Sequence, residues 1–102
     1  MSTTLLEIAS VTDGVLTGSP EIVAQDVTHD SRQCGPGTIF VAIKGLKIDG
    51  NKFVPQAIER GSNAIISEDS PPQGFSGGWI QVRNARQALA QTSAAMRSSI
   101  RE

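Results

Sequence analysis

Apolar positions along this chain fall into short runs that alternate with stretches of helical periodicity. The most continuous run covers residues 38–43, with one polar member among six residues. A run of this kind is typical of a strand that is covered on both faces. Shorter runs and alternating patterns predict further strands at residues 15–16, 22–28, 64–67 and 79–82.

Apolar residues spaced three and four apart predict the first and third of three helices. The first covers residues 4–11, where Thr4 and Glu7 have the spacing of a capping box, and the Asp13-Gly14 pair ends it. The third begins after Asn84, which has a capping side chain, and runs to about residue 97.

The second helix follows an Asp49-Gly50-Asn51 turn. We expect Asn51 to cap this helix, Pro55 to lie in its first turn and Gly61 to end it. Its apolar stripe consists of Phe53, Val54, Ala57 and Ile58. Strands that alternate with helices predict an α/β sandwich, and the close spacing of the first strands favours a mixed sheet over a purely parallel one.

Length, charge and cysteine content narrow the class of protein. A chain of 102 residues is expected to form a single domain. Its 9 Lys and Arg against 10 Asp and Glu give a formal net charge of −1, which offers no basic excess for nucleic acid or an anionic membrane. One unpaired cysteine favours a reducing, cytoplasmic location, and we expect neither a signal peptide nor a membrane span.

Common catalytic and metal-binding patterns are missing from the sequence. His29 is the only histidine and Cys34 the only cysteine, so no zinc ligand set is expected. His29, Asp30 and Ser31 are neighbours, and adjacent residues on one strand do not supply the geometry of a catalytic triad. The chain has neither GxxxxGK[ST] nor GxGxxG, so we expect no ATP site within it.

Turns and polar side chains flank the predicted strand at residues 38–43. Pro36-Gly37 precedes the strand, and Asp49-Gly50 follows it, with Gly50 expected to adopt a positive φ. Polar groups at both ends of a short buried strand favour a binding pocket at a strand edge. Backbone groups of residues 45–48 are expected to be free to pair with a planar base.

The Asp30-Ser31-Arg32 cluster allows two interpretations. In the structural one, Asp30 and Ser31 are turn or capping groups, and Arg32 is a surface charge or a partner for Asp30. In the functional one, the Ser31 hydroxyl bonds a ligand and Arg32 lies near an anionic group. The pattern of residues alone does not choose between them.

Several motifs, in their order and spacing, resemble the N-terminal domain of the Mur ligases. The matching residues are Asp30-Ser31-Arg32, Pro36-Gly37, residues 38–42, Gly45, Asp49-Gly50, Phe53, Ala57-Ile58, Gly61 and residues 64–66. Residues 82–90 resemble the helix that closes this domain in the MurE type. The resemblance covers most of the chain and implies a three-layer α/β sandwich with a small mixed β-sheet.

The resemblance also implies a function. Enzymes of the MurE type are cytoplasmic, ATP-dependent ligases of peptidoglycan synthesis, which add a diamino acid to UDP-N-acetylmuramoyl-L-alanyl-D-glutamate. Their first domain holds the UDP end of that substrate, while ATP and Mg are used by the central domain. The chain would then be an isolated first domain that lacks the central and C-terminal domains. Alone it would bind no cofactor and would be inactive. Its partners would be the UDP-N-acetylmuramoyl peptide and the central domain.

Site residues follow from the same resemblance. Ser31 matches the serine that contacts the uridine part, and His29 borders the same pocket. Leu46, Lys47 and Ile48 match the segment that wraps the uracil. Asp30, Arg32, Asp49 and Gly50 support these contacts, and no catalytic or metal-binding residue carries over. Two alternatives remain open: a free-standing nucleotide-sugar-binding or regulatory module of this fold, and a MurF-type ligase domain.

Overall fold

A five-stranded sheet forms the centre of the fold. The computed structural model describes residues 3–100, and the side chains of residues 3–97. The elements, in chain order, are β1 (Thr3–Thr4), α1 (Leu5–Thr12), β2 (Val15–Thr17), β3 (Val23–Ala24), β4 (Asp26–Thr28), β5 (Thr38–Ala42), α2 (Val54–Glu59), β6 (Ala64–Ser67), β7 (Gly78–Gln81) and α3 (Ala85–Ile100). Two short 3-10 helices, Ser31–Gln33 and Gly50–Phe53, precede β5 and α2.

The strands of the main sheet lie in the order β2-β7-β6-β5-β4. β4, β5, β6 and β7 run parallel to one another, whereas β2 pairs with β7 in the antiparallel direction. β1 and β3 form a separate two-stranded antiparallel sheet. The expected mixed sheet is therefore confirmed.

Alternate side chains of the parallel strands pack into two different cores. Ile39 and Val41 of β5 face a cluster that includes residues of α1 and α3, while Phe40 and Ala42 face a second cluster that includes Val54 of α2. All five residues of β5 are buried, as the uninterrupted apolar run predicts. The sheet thus lies between two helical layers, which confirms the three-layer α/β sandwich.

Local signals in the sequence set the ends of the helices. Thr4 and Glu7 form the expected capping box, and α1 ends at Asp13, whose φ of 55° is left-handed. The Asn84 side chain accepts a hydrogen bond from Gln87 N at 3.0 Å and so caps α3. Pro55 lies in the first turn of α2, as expected. No described helix is both long and apolar enough to cross a membrane.

The expected strands at residues 15–16, 38–43, 64–67 and 79–82 are present, with ends that differ by at most one residue. The single strand expected at residues 22–28 is wrong. Gln25 N and Asp26 N both donate to Gly37 O, at 2.8 and 3.3 Å, and the chain changes sheets at this point. It therefore forms β3 in the small sheet and β4 at the edge of the large one.

Candidate functional site

A cleft of about 490 Å³ opens where the chain leaves β4. Its first wall is the polar segment His29, Asp30, Ser31 and Arg32. Its second wall consists of Phe53 and Gln56, at the start of α2. The structure therefore brings the whole predicted Asp30-Ser31-Arg32 cluster, with His29, to one concave surface.

Asp30 and Arg32 build the first wall by bonding each other. The Asp30 carboxylate accepts hydrogen bonds from the Arg32 backbone N, Nε and Nη2, each at 3.0 Å. Asp30 is thereby the N-cap of the 3-10 helix Ser31–Gln33. The bonds from the Arg32 side chain are the main cause that lowers the pKa of Asp30, and the same pair raises the pKa of Arg32. The structural interpretation of these two residues is confirmed.

Ser31 joins the two walls of the cleft. It is 6% exposed, and its Oγ donates a hydrogen bond to Gln56 Oε1 at 2.8 Å. This bond links the 3-10 helix to α2 across 25 positions of the sequence. Ser31 is consequently a structural link as well as a lining residue.

The sequence pattern does not predict Gln56 as a lining residue, and it shows Phe53 as a member of an apolar stripe and of the family motif but not as a site residue. Of that stripe, Val54 and Ala57 are buried, whereas Phe53 is 39% and Ile58 41% exposed. Phe53 and Gln56 are three residues apart, a spacing that places side chains on one side of a helical segment. The spacing alone does not place this pair beside the Ser31 segment, so the sequence carries no signal that identifies Gln56 as a lining residue.

Leu46, Lys47 and Ile48 lie in a hairpin that does not line this cleft. Lys44 and Asp49 form an isolated antiparallel bridge, and Gly45 N donates to Ile48 O at 2.8 Å. We expected the backbone groups of residues 45–48 to be free, and this expectation is wrong for the Gly45 N–H and the Ile48 carbonyl, which bond each other. Leu46 is fully exposed at the tip of the hairpin, and its proposed contact with uracil stays a prediction.

Asp49 holds the segment that carries Phe53. Its carboxylate accepts from Asn51 N at 2.9 Å and from Asn51 Nδ2 at 2.7 Å, and these bonds lower the pKa of Asp49. Asn51 Oδ1 in turn accepts from Ser67 Oγ at 2.6 Å. The expectation that Asn51 caps α2 is wrong, because its side chain bonds Asp49 and Ser67, while Phe53 occupies the N-cap without a side-chain bond.

Gly50 does not have the positive φ expected from the sequence. A Cβ added at this position would lie 2.7 Å from both N and O of Ile43, a distance that side chains do not adopt. Close approach of two backbone segments, rather than a left-handed conformation, therefore favours glycine here.

The described side chains, those of residues 3–97, include no group of three or more His, Cys, Asp or Glu placed to hold a metal ion. The cleft instead offers hydroxyl, amide and imidazole groups and the bonded Asp30–Arg32 carboxylate and guanidinium, beside the phenyl ring of Phe53. Such a set can bond a polar planar ligand and lie near an anionic group.

Three comparisons with known proteins agree on the family. The profile described as "Mur ligase family, catalytic domain" matches residues 24–97. The UDP-N-acetylmuramoyl-L-alanyl-D-glutamate–2,6-diaminopimelate ligase of Solibacter usitatus is 43% identical over 75 residues, which cover 71% of this chain and 15% of that protein. The UDP-N-acetylmuramyl-tripeptide synthetase of Roseiflexus sp. is 44% identical over 78 residues, which cover 76% of this chain and 15% of that protein.

A solved structure resembles nearly the whole chain. The UDP-N-acetylmuramoylalanyl-D-glutamyl-2,6-diaminopimelate–D-alanyl-D-alanyl ligase of Acinetobacter baumannii matches with a TM-score of 0.80 and 27% identity, over 97% of this chain and 22% of that one. The chain thus spans less than a quarter of the length of each of these relatives. On the family profile and the identities together, the chain belongs to the Mur ligase family.

Proposed function

We propose that this chain is the N-terminal, substrate-binding domain of a MurE-type ligase, and that its cleft holds the UDP end of UDP-N-acetylmuramoyl-L-alanyl-D-glutamate. The observation that carries the proposal is the convergence of His29, Ser31 and Gln56 on one cleft beside Phe53. Relatives named as ligases of this UDP-linked dipeptide support the choice of ligand.

The proposed role of the domain is to position one end of a long substrate. A bound nucleotide restricts where the distant peptide carboxylate can lie, which favours its encounter with the reacting groups. Because such binding is equal in ground and transition states, loss of a contact in the cleft should raise KM more than it lowers kcat. The cytoplasm is the proposed location, because a single unpaired cysteine suits a reducing compartment.

Chemistry in the proposed enzyme belongs to other parts of a longer polypeptide. ATP, bound with Mg, would phosphorylate the D-glutamate carboxylate, and the amine of the diamino acid would then displace phosphate to form the amide. The residues described here supply no grouped metal ligands, and the sequence has no Gly-rich phosphate loop. We therefore assign these residues to binding and orientation alone.

A titration of the isotope-labelled chain with UDP-N-acetylmuramoyl-L-alanyl-D-glutamate tests the proposal. Backbone amide signals of residues 29–32, 45–50 and 53–56 should shift, with an affinity of roughly 4–6 kcal/mol, in the high micromolar to millimolar range. The dipeptide L-alanyl-D-glutamate, which lacks the nucleotide, is the matched control and should shift none of them. Shifts confined to residues 69–77, or none at saturation, would show that the cleft is not the nucleotide site.

A MurF-type ligase is the second candidate, and the 0.80 TM-score to the Acinetobacter baumannii enzyme favours it. Relatives named for the diaminopimelate reaction are more similar in sequence, at 32–45% identity against 27%. An activity assay of the full-length enzyme would decide between the MurE-type and MurF-type assignments. A MurE-type ligase joins a diamino acid to the UDP-linked dipeptide, whereas a MurF-type ligase joins D-alanyl-D-alanine to the UDP-linked tripeptide.

A further inference from the structure

We propose that a groove between β4 and α3 binds a free α-amino acid with an aliphatic side chain. This β4–α3 groove has a volume of about 220 Å³ and shares no lining residue with the cleft at the end of β4. The inference goes beyond the proposed function and does not depend on it. The groove is lined by Gln25, Asp26, Val27, Ser93, Met96 and Arg97.

The place of β4 at the edge of the main sheet leaves the groove open. β4 is the last strand in the order of the sheet, and α3 packs against it. Among the strands of residues 3–100, only β5 pairs with β4. A small molecule can therefore reach the groove from solvent along an uncovered edge of the sheet.

Two side chains of opposite charge line the groove without bonding each other. Asp26 begins β4 and Arg97 lies in the last turn of α3, and both are exposed. The ion pairs formed by the side chains of residues 3–97 join other residues. Asp26 and Arg97 therefore keep their charges for a ligand, and a molecule that carries both an ammonium and a carboxylate can bond the two of them.

The Asp26 carboxylate is already held in place beside β4. Its Oδ1 accepts a hydrogen bond from Val27 N at 2.8 Å, which leaves Oδ2 to accept from an ammonium group. Arg97 can donate two parallel hydrogen bonds to a carboxylate, because its guanidinium has a planar fork geometry. Ser93 precedes Arg97 by four residues, a spacing that places both on one side of α3, and it adds a hydroxyl donor for the same carboxylate.

The apolar part of the groove indicates the side chain of the ligand. Met96 is 8% exposed and Val27 is partly buried, and both pack with the core cluster between the sheet and α3. An aliphatic side chain that lies on them would bury apolar surface. The volume is below the roughly 300–1,000 Å³ of sites for drug-sized ligands, so it suits a single amino acid.

A titration of the isotope-labelled 102-residue chain with L-leucine tests the inference. Backbone amide signals of residues 25–27 and 93–97 should shift, with a dissociation constant roughly in the millimolar range. N-acetyl-L-leucine lacks the ammonium group and L-leucinamide lacks the carboxylate, so neither should shift these signals appreciably at the same concentration and ionic strength. Glycine has both charges but no side chain, and it should bind more weakly than L-leucine.

Two variants remove the charges of the groove one at a time. Asp26→Asn keeps an oxygen that can accept from Val27 N, and Arg97→Gln keeps a shorter polar side chain. Each should weaken L-leucine binding by about fivefold, as expected for an exposed ion pair at the upper end of its range. Glu59→Gln and Arg86→Gln are the matched controls, because they remove the same charges from exposed helical positions outside the groove, and they should leave the affinity unchanged.

The outcomes with wild-type chain decide the inference without relying on the folding of any variant. If L-leucine shifts none of these signals up to its solubility limit, the groove is not an amino-acid site. Equal shifts with N-acetyl-L-leucine or L-leucinamide would also overturn the inference, because they would show that the two charges are not read together. Binding of UDP to the cleft is measured separately, so failure of the proposed function is distinguishable from failure here.

Discussion

Gly50 lies directly against the backbone of Ile43. Gly50 N donates to Ile43 O at 2.9 Å, and a Cβ at Gly50 would meet both N and O of Ile43 at 2.7 Å. This contact fixes the 3-10 helix Gly50–Phe53 to the end of β5 and so sets the position of Phe53 in the cleft.

Gly50→Ala should therefore destabilise the domain even though the φ of Gly50 is not positive. The added methyl group forces two backbone segments apart, and overpacking of this kind costs about 1–3 kcal/mol. The midpoint of thermal unfolding should fall by roughly 4–8 °C per kcal/mol for a domain of this size. Gly35→Ala is the matched control, because a Cβ there meets no atom within 4 Å. Equal unfolding temperatures for the two variants would contradict this explanation.

Ser31→Ala and Ser62→Ala should separate binding from stability. Both serines are buried, at 6% and 7% exposure, and each hydroxyl donates within the protein. Each substitution should lower the free energy of unfolding by about 0.5–1.5 kcal/mol. Only Ser31→Ala should also weaken UDP binding, by about two- to tenfold, because Ser62 does not line the cleft. Equal UDP affinities for the two variants would remove Ser31 from the site.

Protonation of Asp30 and Asp49 should loosen both 3-10 helices, and it should occur at pH values below the pKa of an ordinary carboxyl group. The pKa values of Asp30 and Asp49 are lowered from 3.8 by hydrogen bonds from Arg32 and Asn51. Their ionised forms are favoured in the folded state, so this stabilisation is present above pH 3.8 and is lost as pH falls through the lowered values. Carboxyl carbon shifts followed against pH should give midpoints below 3.8 for both residues.

Asp30→Asn provides the control for that titration, because it keeps a capping oxygen and removes the charge. Its unfolding temperature should depend less on pH below 3.8 than that of the wild type. A midpoint for Asp30 at or above 3.8 would mean that the bonds to Arg32 do not persist in solution.

Leu46→Ser should leave the unfolding temperature close to that of the wild type, because Leu46 is fully exposed. We also expect nearly unchanged UDP affinity, since backbone rather than side-chain contacts are proposed for residues 46–48. The amide signals of this hairpin should nevertheless shift when UDP binds to the wild-type chain. If they stay in place, the hairpin does not belong to the site.

Local signals account for the parts of the fold that the sequence predicted well. The capping residues Thr4 and Asn84 act within one helical turn, and the buried strand β5 is a continuous apolar run. The small sheet of β1 and β3 was missed, because strands of two residues show no periodicity. The alternation over residues 22–28 predicts one strand, because nothing in it marks the change of sheets at Gln25.

The candidate site was predicted on one wall and missed on the other. His29 to Arg32 are adjacent and polar, so the sequence shows them as a group. Gln56 enters the site through a hydrogen bond to a residue 25 positions away. Neither propensity nor spacing encodes such a contact, which depends on how α2 packs beside the 3-10 helix Ser31–Gln33.

The position of β2 has a consequence for the order in which the chain can fold during synthesis. Among the strands of the described residues, β2 pairs only with β7, which begins about 60 residues later in the chain. At about 5–20 residues per second, a ribosome would add those residues in roughly 3–12 s. Throughout that interval Val15–Thr17 has no strand to join, and α1 lacks α3, against which it packs. Although α1 and β2 are made before the other elements of the main sheet, they would thus be among the last to reach their native places, and chaperone contact during synthesis would fall on this segment.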